Sequence, residues 1–355
     1  MNPFRYAILV LVVTVGHASA LPKGGEVQPD KILVGTVYTG ATVEASFMVF
    51  EPGKNANIRL EVTAPPFVKI LNKETEVKQF GMGNHFVCGS VEMAFDTAAV
   101  GEWTGDLKVT LGQTTAKLPV SVTVKPRRPG LTRLLIAESP FNRYSASDGA
   151  LFKAWTDLIR KPPMDVSYLL VTSGKPVLRD LDLTKFDSVL LAGTGLVSLT
   201  PADVQKARQF AEKGGWVVVA ANRFYRGTVD QANLVVAKYG LQMRDEEAPF
   251  GQNAATLGKE DLDQKIVNAG VKSLSFFRAS PVAVTDSKTG RVLVKAVGTG
   301  QEGDGFVARA KAGHGTVVAL GVSLWWDWIS DKRAADTDNA KLLRWLLLPQ
   351  NLSEL

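Results

Sequence analysis

Four segments of this 355-residue chain place polar and aromatic side chains directly after apolar, strand-like runs. Glu138 closes LTRLLIAE, with Asn142 and Arg143 just beyond it. Thr194 sits in Gly193-Thr194-Gly195 after DSVLLA, and Asn222, Arg223, Tyr225 and Arg226 follow WVVVAA. Trp325, Trp326 and Asp327 follow GTVVALGVS. If these runs are neighbouring parallel strands, all these residues gather at one edge of a sheet, where open α/β sheets bind their ligands. Carboxylates, amides and guanidinium groups bond hydroxyls and carboxylates, and aromatic faces cover apolar C–H surface. That mixture suits a sugar or a sugar acid. A structural reading stands beside it. Trp325 and Trp328 can pack under a helix start, and Arg223 and Arg226 can pair with surface carboxylates such as Asp230. Glu138 and Asp327 could form the carboxylate pair of a glycoside hydrolase. A strand-end carboxylate is equally a helix cap, and geometry must precede any catalytic claim. No catalytic residue is therefore assigned.

Other chemistries find few residues to work with. Cys88 is the only cysteine, so no disulfide forms within the chain and thiolate metal clusters are excluded. Beside Phe86 and Val87 it reads as a small apolar residue of a buried strand. The three histidines are scattered, and Asp180-Leu-Asp182 and Asp261-Leu-Asp263 lack the glycine and closing glutamate of a calcium loop. Gly193-Thr194-Gly195 lacks the third glycine of a dinucleotide fingerprint, and the glycine-rich stretch 298–305 reads as a hairpin loop between strands. No metal and no cofactor is expected. The formal net charge of +6 is mild and its densest basic spot, Lys125 to Arg128, is short, so no nucleic-acid partner is expected.

The elements that must position these residues fall into distinct stretches. Residues 1–20 carry Arg5, an apolar run AILVLVVTVG and Ala18-Ser19-Ala20, the pattern of a cleaved export signal. The expected protein is secreted or periplasmic, with no membrane span after cleavage. Residues 21–126 alternate in short runs (ILVGTVY, TVEASFMVF, FVKIL, FVCGSVEMAF, KLPVSVTV) punctuated by turn residues, which predicts an antiparallel sandwich. Pro65-Pro66 marks an edge or a corner. Residues 127–130, within KPRRPG, read as a solvated linker. From 131 to 355 strands alternate with helices. A helix is expected over 148–159; another opens at Thr200-Pro201 with Val204, Ala207, Phe210 and Ala211 facing the core; a last one is capped by Thr337-Asp338-Asn339. Continuous apolar strands predict a parallel sheet covered on both faces. The late runs SLSFF, PVAVT, RVLVKAV and GFVARA read as a mixed extension of that sheet.

Three segments carry a resemblance: DSVLLAGTGLVSLTPADVQKARQFAEKGGWVVVAAN, AGHGTVVALGVSLWWDW and TDNAKLLRWLL. Their order resembles the class I glutamine-amidotransferase-like fold, on its non-amidotransferase branch of trehalose-utilisation-like and GIFT-type domains. The resemblance spans 131–355 and implies a three-layer, flavodoxin-like α/β domain. The preceding stretch resembles immunoglobulin-like modules of exported proteins. In a true amidotransferase the elbow after the fourth strand carries a cysteine, with histidine and glutamate downstream. Here that elbow reads Asn222-Arg223-Phe224-Tyr225-Arg226-Gly227, and no glutamate follows His314 at triad spacing. Without an activated nucleophile, glutamine hydrolysis is not expected. The expectation is an exported, non-catalytic binding or interaction protein whose partner is a saccharide or an envelope protein. The alternatives are a carbohydrate hydrolase using Glu138 and Asp327, or a structural adaptor of the cell envelope.

Overall fold

The computed structural model describes residues 25–55, 57–80, 84–138, 163–171, 177–248, 253–298, 301–323, 328–329, 334 and 336–351. The expected helix over 148–159 lies outside the described residues, as do Asn142, Arg143, Trp325, Trp326 and Asp327. The described structure is largely β, arranged in four separate sheets.

Eight strands come first: β1 (Glu26–Gln28), β2 (Ile32–Tyr38), β3 (Glu44–Pro52), β4 (Leu60–Thr63), β5 (Val68–Phe80), β6 (Asn84–Phe95), β7 (Gly101–Leu111) and β8 (Thr114–Lys125). They form two sheets, ordered β1-β3-β6-β5 and β2-β8-β7-β4. Alternation turns Val34, Phe47, Val49, Val91, Leu107 and Val109 into one shared core. Pairing is antiparallel except between β2 and β8, which run parallel, so the purely antiparallel expectation fails there. No hairpin links these two strands, and only a hairpin would have forced opposite directions. Pro65-Pro66 lies in the corner between β4 and β5. β5 runs on to Phe80, well past the apolar run, because its outer half is a charged and exposed edge paired on one side to β6.

Lys125 belongs to β8, and the stretch after it is not merely solvated. The Arg127 guanidinium lies 2.7 Å from the buried carboxylate of Asp165. Val43 bridges Tyr168, and the Leu170 N–H donates to the Glu44 carboxylate at 2.9 Å. The first two sheets thus cover the open edge of the next one.

That next sheet begins with β9 (Thr132–Glu138), β10 (Met164–Leu170), β11 (Ser188–Ala192), β12 (Trp216–Ala220) and β13 (Leu241–Met243). After β14 (Ala255–Leu257) and β15 (Leu274–Phe276) it resumes with β16 (Val282–Val284), β17 (Gly290–Lys295), β18 (Gly305–Ala312) and β19 (Gly315–Leu320). Its order is β10-β9-β11-β12-β19-β18-β16-β13, with β17 also on β18. The first five in that order are parallel and the remainder antiparallel. The SLSFF run does not join this sheet. β15 pairs with β14 in a sheet of two strands, held where the Trp328 indole and the Asn339 amide both donate to the Ser275 carbonyl.

Every residue of β10, β11 and β12 is buried because both faces are covered. On one face lie α1 (Pro201–Glu212) and α2 (Thr228–Val236), contributing Val204, Ala207, Phe210 and Val235. On the other lie α3 (Gln264–Asn268) and α4 (Asn339–Leu346), contributing Ile266, Leu342, Leu343 and Leu346. The expected side-chain cap of the last helix is absent. Asp338 accepts from the Lys272 N–H at 2.7 Å instead, and Asn339 is held by Ser275 and Trp328, so tertiary pinning replaces a local cap.

α1 starts where expected. Thr200 and Asp203 form a reciprocal capping box, with Pro201 in the first turn. Asp203 does more than cap. Its buried carboxylate also accepts the N–H groups of Val177 and Leu178 at 2.8 and 2.7 Å. Removing it leaves several buried donors unpaired. Asp203→Ala is expected to cost about 2–4 kcal/mol in urea unfolding. Asp182→Ala, which uncaps an exposed turn, should cost under about 1 kcal/mol. Equal losses from the two would contradict this account.

Candidate functional site at the strand ends

The parallel strands β10, β9, β11, β12 and β19 follow the chain order second, first, third, fourth, fifth. After β9 the chain goes to one side, and for β11 it comes back to the other. In open α/β sheets this reversal of strand order, at the carboxyl ends of the strands, is where ligands bind. Register sets Glu138, Ala192, Ala220 and Leu320 level with one another. The parallel ladders stop at this line.

Glu138 is 1% exposed, a carboxylate on the last residue of β9. Gly193 has a positive φ of 66°, which turns the chain sharply as it leaves β11. Thr194 comes next, in a 3₁₀ turn over Gly193–Ser198. The Gly193 N–H donates to the Ser323 carbonyl at 3.0 Å, so the chain leaving β19 meets the chain leaving β11. Gly321 lets the chain leaving β19 pass close to Ser280, where a Cβ would lie 2.1 Å from the Ser280 carbonyl oxygen. The Ser323 hydroxyl is fully buried and makes no hydrogen bond among the described residues.

Asn222 stands two residues beyond β12 and is 4% exposed. Its amide nitrogen donates to the Arg278 carbonyl at 2.7 Å, and its backbone carbonyl accepts the Thr228 hydroxyl at 2.7 Å. Its Oδ1 is buried and has no partner among the described residues. A buried amide oxygen left unpaired costs free energy that a ligand donor would recover. The rings of Phe224 and Tyr225 meet edge to face, 5.0 Å apart, and the Arg278 guanidinium lies 4.0 Å over the Phe224 ring. Ser280 accepts the Arg223 N–H at 2.9 Å and donates to the Glu246 carbonyl at 2.8 Å, which anchors this elbow.

The structure thus brings Glu138, Thr194 and Asn222 to one edge. Arg223 starts there, but its guanidinium turns outward to Asp245, whose carboxylate is 3.8 Å away. Arg226 is exposed and forms no ion pair among the described residues, with Asp230 or otherwise. Arg278 and Ser280 were not legible in the sequence. They precede β16, far from the parallel strands in the chain, and no strand-end pattern announces them. His314 lies in the turn into β19, at the opposite edge of the sheet. Two surface grooves of about 600 and 770 Å³ also lie elsewhere, one between α1 and α2 and one beside Thr132 and Gly215. Among the described residues no cluster of His, Cys, Asp and Glu could hold a metal ion, and no helix is long and apolar enough to cross a membrane.

Cys88 is not set up as a nucleophile. It is buried on β6 with Phe50 and Phe86. Burial pushes its thiol up to about 11, with Lys78 lowering and Glu76 raising it to lesser extents. The thiolate fraction at neutral pH is correspondingly small. Native protein at pH 7.5 should react with a thiol-specific disulfide reagent at least about 100-fold more slowly than protein in 6 M guanidinium chloride. Comparable rates in the two conditions would contradict its burial.

No family profile matches the chain, and no curated protein matches it. Solved structures share partial likeness. A cytoplasmic protein from Salmonella typhimurium LT2 is 14% identical with a TM-score of 0.44, covering 62% of this chain and 99% of that one. A β-galactosidase from Bacillus circulans sp. alkalophilus is 15% identical with a TM-score of 0.37, over 62% of this chain and 30% of the enzyme. A ThuA-like protein from Parabacteroides merdae ATCC 43184 is 13% identical with a TM-score of 0.34, over 54% of this chain and 78% of that one. Likeness at this level assigns neither a family nor an activity.

Proposed function

We propose that this chain is an exported, non-catalytic binding protein that takes a saccharide at the carboxyl ends of its parallel strands. In this reading residues 1–20 are removed on export, 21–126 form an immunoglobulin-like module, and 127–130 lead into an amidotransferase-like, flavodoxin-like domain over 131–355. The observation that carries the proposal is the pair of buried acceptors without partners among the described residues, Asn222 Oδ1 and Ser323 Oγ, at the ends of adjacent strands. Hydroxyl-rich ligands supply the matching donors, and the Phe224–Tyr225 pair offers an aromatic wall for their C–H faces. The elbow after β12 presents an amide where a nucleophile would stand, and the one thiol in the chain is buried on β6. Binding is therefore the favoured reading over covalent turnover.

A thermal-shift and calorimetry screen of the purified protein against neutral mono- and oligosaccharides tests this. A ligand at 100 times its Kd stabilises the folded state by about 2.7 kcal/mol. Ser323→Ala separates binding from folding. Its hydroxyl has no partner among the described residues, so the unliganded variant should be as stable as the parent or slightly more so. Its saccharide affinity should fall about 3- to 10-fold. Absence of binding across the panel would overturn the proposal, and release of reducing sugar from an oligosaccharide would favour the hydrolase.

A further inference from the structure

Arg278 is the one non-glycine residue with a positive φ, 49°, among the described residues. Side chains with a Cβ enter this region at a cost, and such strain persists where the surroundings over-determine it. The surroundings here are specific. The Arg278 carbonyl is held by the Asn222 amide at 2.7 Å, and its guanidinium is laid over Phe224 at 4.0 Å. The side chain is half-buried, its Nε is shielded from solvent, and it makes no hydrogen bond or ion pair among the described residues. Glu246 and Glu247 lie on the neighbouring segment, which bonds Ala279 and Ser280, and two other acidic groups are engaged elsewhere. Asp245 pairs with Arg223, and Asp304 pairs with Arg244.

Two further features share this sign. Arg226 is exposed and without an ion pair among the described residues. α2 begins at Thr228, whose hydroxyl donates to the Asn222 carbonyl, so the positive end of a nine-residue helix opens beside the same elbow. An arginine stacked on an aromatic ring keeps its planar fork fixed and its outer N–H groups available, the arrangement that recognises a carboxylate in two parallel bonds. Asn222, whose amide bonds the Arg278 carbonyl, has its Oδ1 buried without a partner among the described residues.

We infer that the strand-end site selects an acidic saccharide, with Arg278 holding the sugar carboxylate and Asn222 a neighbouring hydroxyl. The inference rests on the saccharide-binding reading and narrows its ligand class. Arg278 is a specificity-determining residue in this account. Its backbone strain serves to hold the guanidinium on Phe224.

The test is isothermal titration of the full protein with D-glucuronate and D-galacturonate against D-glucose and D-galactose. The uronates should bind at least about tenfold more tightly than their parent sugars, as expected for one charge-assisted contact. Arg278→Ala should erase that preference. Arg278→Gly guards against misfolding, since glycine adopts a φ of 49° freely. Its melting temperature should match or exceed the parent's while the uronate preference is lost. Equal affinity of the parent protein for uronates and neutral sugars would overturn the inference and leave the saccharide reading standing. So would a uronate preference that survives both substitutions. Binding of neither class would remove both.

Discussion

The arrangement depends on the register of five parallel strands. Because β10, β9, β11, β12 and β19 end level with one another, their last residues and first loop residues share one line. β9 sits between β10 and β11 in the sheet, so the strand order reverses there. The polar side chains along this line are ones that the ladder no longer constrains. The remaining features serve this line. Helices on both faces keep the strands dry, and Gly193 turns the chain leaving β11 to meet the one leaving β19.

The two N-terminal sheets have a mechanical part in this. β10 is the edge strand of the parallel group, and an exposed edge invites pairing with other chains. Thr42 and Glu44 occupy that edge through the Thr42 carbonyl, which accepts the Tyr168 N–H at 2.7 Å, and through the Glu44 carboxylate on Leu170. Arg127 and the buried Asp165 reinforce the contact at the start of the same strand. The end of β10 is level with Glu138, so this contact steadies one end of that line.

Much of the frame was legible because burial writes itself into residue type. WVVVA and SVLLA are covered on both faces and read as continuous apolar runs, and Thr200-Pro201 with Asp203 announced α1. Glu138 and Asn222 were legible as polar residues ending such runs. The features that escaped had tertiary causes. The outer half of β5 is polar on both faces and held by pairing alone. The parallel β2–β8 pair depends on partners distant in sequence. The run containing β15 had the composition of a sheet strand, yet Trp328 and Asn339 hold it in a separate two-stranded sheet. Arg223 carried the right charge at the right place, but Asp245 draws its side chain outward. Arg278 takes its place beside Asn222 by a backbone conformation that no residue pattern reveals.

The central claim is that the ligand sits at the ends of these strands. Hydrogen exchange by mass spectrometry, with and without saturating D-glucuronate, tests it most directly. The account predicts slowed exchange in peptides covering 219–226 and 276–281, with little change around α1 or the start of β9. Protection confined to the groove between α1 and α2, or to the opposite edge near Thr132 and Gly215, would contradict it.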